Sequence, residues 1–112
     1  MNVVFEEKDN LLLVRLSGEI DHHFASEVRD KIDKAIEACK KQNLALDFRG
    51  VTFMDSSGIG VVMGRYNKIK DLGGVTYVTG CNAYIDRILE MAGIYTIVKK
   101  CDTEEELIKE VE

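Results

Sequence analysis

Between Leu44 and Gly74 the sequence passes from a buried-strand pattern straight into a helix, and few architectures accept that order. Leu44-Ala45-Leu46-Asp47-Phe48 reads as a strand, Arg49-Gly50 as a short turn, and Val51-Thr52-Phe53-Met54 as a second apolar step. Asp55-Ser56-Ser57-Gly58 follows, and a helix then runs to a stop at Gly73-Gly74. Two hydroxyls and one carboxylate thus fall where a strand hands over to a helix. The first backbone N–H groups of a helix have no partner within it, and the helix dipole favours negative charge at that end. Ser56 is read as the residue that such a junction presents to a partner.

The flanking chain supplies the rest of an alternating pattern. Val3–Lys8 and Leu11–Leu16 read as strands joined at Asp9-Asn10, a dipeptide suited to a tight hairpin turn. The run LLLVRL is apolar almost throughout, which places the second strand inside the sheet rather than at its edge. Ser17-Gly18-Glu19-Ile20 leads out of it, and Asp21 is the candidate cap of the next helix. That helix has an apolar stripe of Phe24, Val28, Ile32, Ala35, Ile36 and Cys39, with Glu27, Arg29, Asp30, Lys34, Lys40 and Lys41 toward solvent. In the helix after Ser57 the expected core stripe is Ile59, Val62, Met63, Tyr66 and Ile69, with Arg65 and Lys68 toward water. Gly60 and Gly64 share a face; glycine there costs about 1 kcal/mol against alanine, so the pair implies close packing on the sheet or a neighbour.

Val75–Thr79 is the next strand, and Ala83–Ala92 a helix on Ile85, Ile88, Leu89 and Met91, closed by Gly93. Tyr95–Val98 reads as a last short strand. Thr103-Glu104-Glu105-Glu106 is a capping box for a terminal helix with a thin seam of Leu107, Ile108 and Val111. The order β-β-α-β-α-β-α-β-α specifies an α/β fold whose mixed sheet is mostly parallel, with helical crossovers and an antiparallel first strand.

Charge and length narrow the function. The 112 residues, 46% of them apolar, read as one domain spanning residues 1–112, long enough to bury a core without disulfides or metal. A net charge of −5 argues against nucleic acid as a direct partner, since phosphate binding needs a basic surface. No apolar run approaches the length of a membrane span. The segment Met1–Glu7 lacks the basic region of a secretion signal, so the expected address is cytoplasmic. Cys39, Cys81 and Cys101 are odd in number and far apart, with no CxxC or Cys/His metal spacing. They read as buried free thiols in a reducing compartment, and neither a metal nor a cofactor is expected.

The Asp55–Gly58 block admits two readings. One is a helix cap with a tight turn. The other adds an exposed, phosphorylatable hydroxyl at the positive end of a helix, with Asp55 beside it opposing a phosphate by like-charge repulsion. Neither GxxxxGK[ST] nor a GxGxxG after a strand is present. A serine hydrolase would need Ser56 or Ser57 beside His22 or His23, the only histidines, and the GxSxG elbow is absent. Adjacent helix residues face different ways, which makes the two histidines a poor metal pair. Arg65 carries a fork suited to a partner's carboxylate or phosphate, and reads equally as a solvated charge.

Leu16–His23, Phe53–Val61, Gly64-Arg65-Tyr66 and Leu89–Ile94 together resemble the bacterial anti-sigma factor antagonists of the STAS domain family, in register over nearly the whole chain. The Asp-Ser-Ser-Gly block carries most of the likeness, and the Asp-His-His and Gly-Arg-Tyr elements resemble the sporulation anti-sigma F factor antagonist more than the general-stress antagonist. The resemblance implies helices mainly on one face of a mixed sheet. It implies that Ser56 is phosphorylated by an anti-sigma factor that is also an ATP-using serine kinase, and dephosphorylated by a dedicated serine phosphatase. The unphosphorylated form would bind the anti-sigma factor and free the sigma factor, so the chain would be a substrate and ligand rather than an enzyme. Gly18, Asp21, His22, His23, Asp55, Ser57, Gly58 and Arg65 are the expected partner-binding residues around it. The same resemblance leaves open a general-stress antagonist, a subunit of a stress-sensing assembly, or a regulatory domain of an anion transporter; the small serine hydrolase stands as the enzyme alternative.

Overall fold

Two strands that are apolar on both faces can be satisfied only inside a sheet, and β2 (Leu11–Ile20) and β3 (Asn43–Met54) take that place. The computed structural model describes every residue, Met1–Glu112. The five-stranded sheet has the order β1-β2-β3-β4-β5, with β1 at Asn2–Lys8, β4 at Thr76–Thr79 and β5 at Lys99–Cys101. β1 is antiparallel to β2 through the expected hairpin, where Asp9 adopts φ 51°, and all other neighbours are parallel. Helices α1 (Ala25–Cys39), α2 (Ser56–Asp71) and α3 (Ala83–Met91) connect the parallel strands, and α4 (Glu104–Val111) ends the fold. No helix is long and apolar enough to cross a membrane.

Alternation along the strands divides the core in two. Leu12, Val14, Leu16, Leu44, Leu46 and Phe48 face the larger cluster, with Val28, Ile32, Val62, Ile69, Ile85 and Leu89 of α1, α2 and α3. Leu11, Leu13, Ala45 and Tyr77 face the opposite side, where Leu107 of α4 covers them. Helices therefore lie mainly on one face. The α4 cap forms as the sequence indicates: Thr103 Oγ1 accepts from Glu106 N at 3.2 Å, and Glu106 Oε2 accepts from Asp102 N at 3.0 Å.

Five local expectations are corrected. Arg49-Gly50 is not a turn but part of a continuous β3; the pairing with β2 shifts register nearby, and a Cβ on Gly50 would lie 2.6 Å from that of Ser17, so glycine absorbs the irregularity. Tyr95–Val98 is not a strand. Ile94–Thr96 form a 3₁₀ turn after Gly93 at φ 76°, and the strand begins at Lys99. Ile94 and Val98 both enter the core. In α2 Val62 and Ile69 are buried and Ile59 and Tyr66 pack against the core as expected, but Met63 is exposed, and Val61 and Arg65 are buried instead. Gly60 and Gly64 have nothing within 4 Å of an added Cβ, so they pack against nothing within the chain. Phe24 and Met91, expected on apolar stripes, are also exposed.

Because Leu107 is the fully buried α4 residue of the second core, with only the partly buried Val111 of that helix packed beside it, Leu107→Ala should cost about 2–5 kcal/mol in stability. Urea midpoints read by circular dichroism check this, with an unchanged midpoint showing that α4 contributes little.

Candidate functional site

The parallel register brings two strand ends together: Gly18 lies opposite Val51 and Ile20 opposite Met54. The segments that follow, Asp21–Phe24 and Asp55–Gly58, therefore emerge side by side at one end of the sheet. Asp55 joins them. Its Oδ1 accepts from Ser57 N at 2.8 Å as the N-cap of α2, its Oδ2 accepts from His22 N at 3.2 Å, and its own N–H donates to Ile20 O at 3.2 Å. The Ser57 amide, foremost, and then the His22 amide and imidazole hold the Asp55 carboxyl below its ordinary range, against a smaller opposing push from desolvation.

Ser56 is the first residue of α2 and is exposed; Ser57 behind it is half-buried. Gly58 is buried, and its N–H donates to Asp55 O at 3.0 Å. A Cβ there would lie 2.2 Å from Met54 Cγ, which is fully buried, so glycine is what lets α2 start so close to β3. Gly18 has φ 103° in the neighbouring strand end, a conformation that favours glycine.

His22 and His23 are exposed, their rings 4.1 Å apart, and His22 Nδ1 is 3.8 Å from Asp55 Oδ2. This faces His22 toward a carboxylate that is already the cap of α2. Asp21 does not cap α1 directly. Its Oδ1 accepts from His23 N at 2.9 Å and Phe24 N at 3.3 Å, closing a turn ahead of the helix, while Phe24 holds the cap position without a side-chain bond.

Arg65 is not at this surface. The expectation that it points to water is corrected: it is buried at 8% exposure, with Nε 2.8 Å from Asp33 Oδ1 on α1. The N–H is not aimed at that oxygen, so the contact is an ion pair rather than a hydrogen bond, and Nη1 is buried without an acceptor. Burial lowers the Arg65 pKa, offset in part by Asp33. One turn on, Lys68 Nζ meets Glu37 Oε1 at 2.8 Å, so two ion pairs link α1 to α2.

Residues not singled out in the sequence complete the picture. Tyr84 OH donates to Met54 O at 3.0 Å, and its ring stacks on Phe53 at 6.4 Å. Asn82 caps α3 by accepting from Ile85 N at 2.9 Å, and donates to Val51 O at 3.4 Å. The available signal was Tyr84 itself, an aromatic off the Ile85-Ile88-Leu89 stripe.

Comparison with known proteins fits this geometry. The STAS domain family model matches residues 2–107. An anti-sigma F factor antagonist of Paenibacillus polymyxa is 38% identical over 112 residues, covering 100% of this chain and 96% of that one. An anti-sigma-B factor antagonist of Bacillus subtilis is 28% identical over 98 residues, 88% of each chain. The anti-sigma factor antagonist SpoIIAA, 29% identical, superposes in its unphosphorylated form with a TM-score of 0.78 over 98% of this chain and 97% of that one. Its phosphorylated form, also 29% identical, gives 0.77 over 99% and 100%.

The depressed carboxyl of Asp55 has a direct consequence for acid stability. Its folded pKa lies below its unfolded one, so its contribution is complete above the ordinary aspartate value of about 3.9 and is lost as pH falls through the folded value. Asp55→Asn should therefore lower stability at neutral pH and flatten the acid limb of a urea-midpoint profile; an unchanged profile would show that the clamp contributes nothing.

Proposed function

The chain belongs to the STAS domain family, and on that premise we propose that it is an anti-sigma factor antagonist switched by phosphorylation of Ser56. The observation that carries this reading is the position of Ser56: an exposed hydroxyl opening a helix, on a junction that is itself held rigid by Asp55. In this reading the partner is an anti-sigma factor that is a serine kinase and brings its own ATP, and a serine phosphatase resets the hydroxyl. Gly18, Asp21, His22, His23, Asp55, Ser57 and Gly58 shape the docking surface, which continues along the exposed face of α2 past Gly60, Met63 and Gly64. Arg65 supports that helix from behind rather than meeting the partner.

The mechanism is local. The Ser57 and Gly58 amides are already engaged by Asp55, so a phosphate on Ser56 finds those donors taken and is directed outward. It adds roughly −1.5 to −2 charges beside the Asp55 carboxylate. Burying such a charge unpaired in an interface costs about 2–5 kcal/mol, and about 3 kcal/mol weakens binding by more than ~100-fold. The near-equal superposition on the two forms of SpoIIAA supports a switch that needs no change of fold.

A sporulation role is favoured by the higher identity to the anti-sigma F factor antagonist than to the anti-sigma-B one, together with the Asp21-His22-His23 element. The hydrolase alternative fares less well, because the nearest carboxylate–histidine pair is spent on the cap of α2.

Mixing the chain with the kinase-type anti-sigma factor of its own cell and ATP should add one phosphate, located by mass on Ser56. Ser56→Ala should abolish labelling and keep binding. Ser56→Asp should weaken binding by about 10-fold or more, as one partly unpaired interface charge implies. Labelling at another residue, or a Ser56→Asp variant that binds as tightly as the parent, would overturn the switch.

A further inference from the structure

Beyond the strand-end loops and α2, the molecule carries an apolar ridge that its own fold leaves uncovered. Phe53 is 40% exposed, Tyr84 49% and Met91 82%. Tyr84 and Met91 are seven apart on α3 and so share a face, and Phe53 stacks on Tyr84 from the end of β3. The Tyr84 end of the ridge is held in place: Tyr84 OH donates to Met54 O, and Asn82 donates to Val51 O. Met54 immediately precedes Asp55-Ser56, and its other flank is Ile20 of β2. The ridge is therefore continuous with the Ser56 junction, on the side opposite His22 and His23.

We propose that Phe53, Tyr84 and Met91 form the apolar anchor of the surface that docks the kinase-type anti-sigma factor. This inference rests on the function proposed above. A stable protein interface covers about 800 Å² on each partner, more than the Asp55–Gly58 turn offers, so a kinase that reaches the Ser56 hydroxyl must cover neighbouring ground. Energetic anchors in such interfaces are few, and rigid exposed aromatics are enriched among them. Tyr84 loses little conformational freedom on binding because both its ring and its hydroxyl are already held. Adjacent to a charge-switched hydroxyl, the ridge gives the partner an apolar grip that phosphorylation does not alter, so the phosphate acts through the cost of burying its charge. The partner's matching surface is an apolar groove.

The test compares three variants with the parent for binding to the purified kinase-type anti-sigma factor with ADP. Tyr84→Ala should weaken binding about 30-fold, the ratio that a 2 kcal/mol anchor gives. Met91→Lys, at a residue too exposed to disturb the fold, should weaken it in the same direction, and the unfolding midpoint of Met91→Lys should match the parent. Ser56→Asp is the control for the underlying function. If Ser56→Asp weakens binding while Tyr84→Ala and Met91→Lys bind as the parent does, the ridge is not part of the interface and the switch stands. If Ser56→Asp is without effect, the switch itself fails. Sedimentation of the chain alone addresses the remaining occupant: self-association abolished by Met91→Lys, without loss of kinase binding, would assign the ridge to a second copy and overturn the inference.

Discussion

Asp55 has two oxygen atoms and each is committed to a different loop. One accepts the Ser57 amide and so starts α2; the other accepts the His22 amide and so fixes the segment after β2. The parallel pairing of β2 and β3 brings the strand ends together, but pairing stops at Ile20 and Met54, and beyond that point the two loops are linked by one backbone bond, from Asp55 N to Ile20 O, and by the Asp55 carboxylate. A carboxylate is suited to this because it accepts from several donors at once, and each bond to a backbone amide also stabilises its charge. An asparagine would keep one oxygen acceptor and lose the second. The shape of the surface around Ser56 therefore depends on a single ionised group.

That dependence explains why the site need not cradle phosphate. Helix N-termini bind anions when their amides are free, and here the Ser57 amide is taken by the Asp55 carboxylate and the Gly58 amide by the Asp55 carbonyl. A second negative group gains little from the dipole and meets like charge at close range. Modification at such a place changes what a partner encounters while leaving the fold intact, which is what a switch between two binding states requires.

The alternation of strands and helices, the hairpin, the helix cap at Thr103 and the exposed Ser56 were legible in the sequence because each rests on local chemistry: periodicity, turn residues and capping side chains. What was not legible was tertiary. Arg65 has a charge that argues for water, yet Asp33 on another helix gives it a counter-ion, and no periodicity within α2 reveals that partner. Gly60 and Gly64 look like packing residues, but the face they lie on is open. The short strand at Lys99 is two charged residues and a cysteine, with no apolar alternation, and exists because β4 offers it an edge. Tyr84 was passed over because a single aromatic in a first helical turn has no pattern; its meaning comes from Met54 and Phe53, far away in sequence.

Arg65 and the glycines are two sides of one arrangement. A buried guanidinium with an unpaired nitrogen costs about 1–3 kcal/mol relative to one fully bonded, and each helix-interior glycine costs about 1 kcal/mol against alanine. Neither expense helps α2 to fold. The inner ion pairs, Arg65 with Asp33 and Lys68 with Glu37, hold α2 against α1 without relying on its outer surface. The outer surface, where Met63 stands exposed between Gly60 and Gly64, carries no packing duty within the chain. A helix anchored from behind in this way presents the Ser56 hydroxyl at its tip from a fixed base.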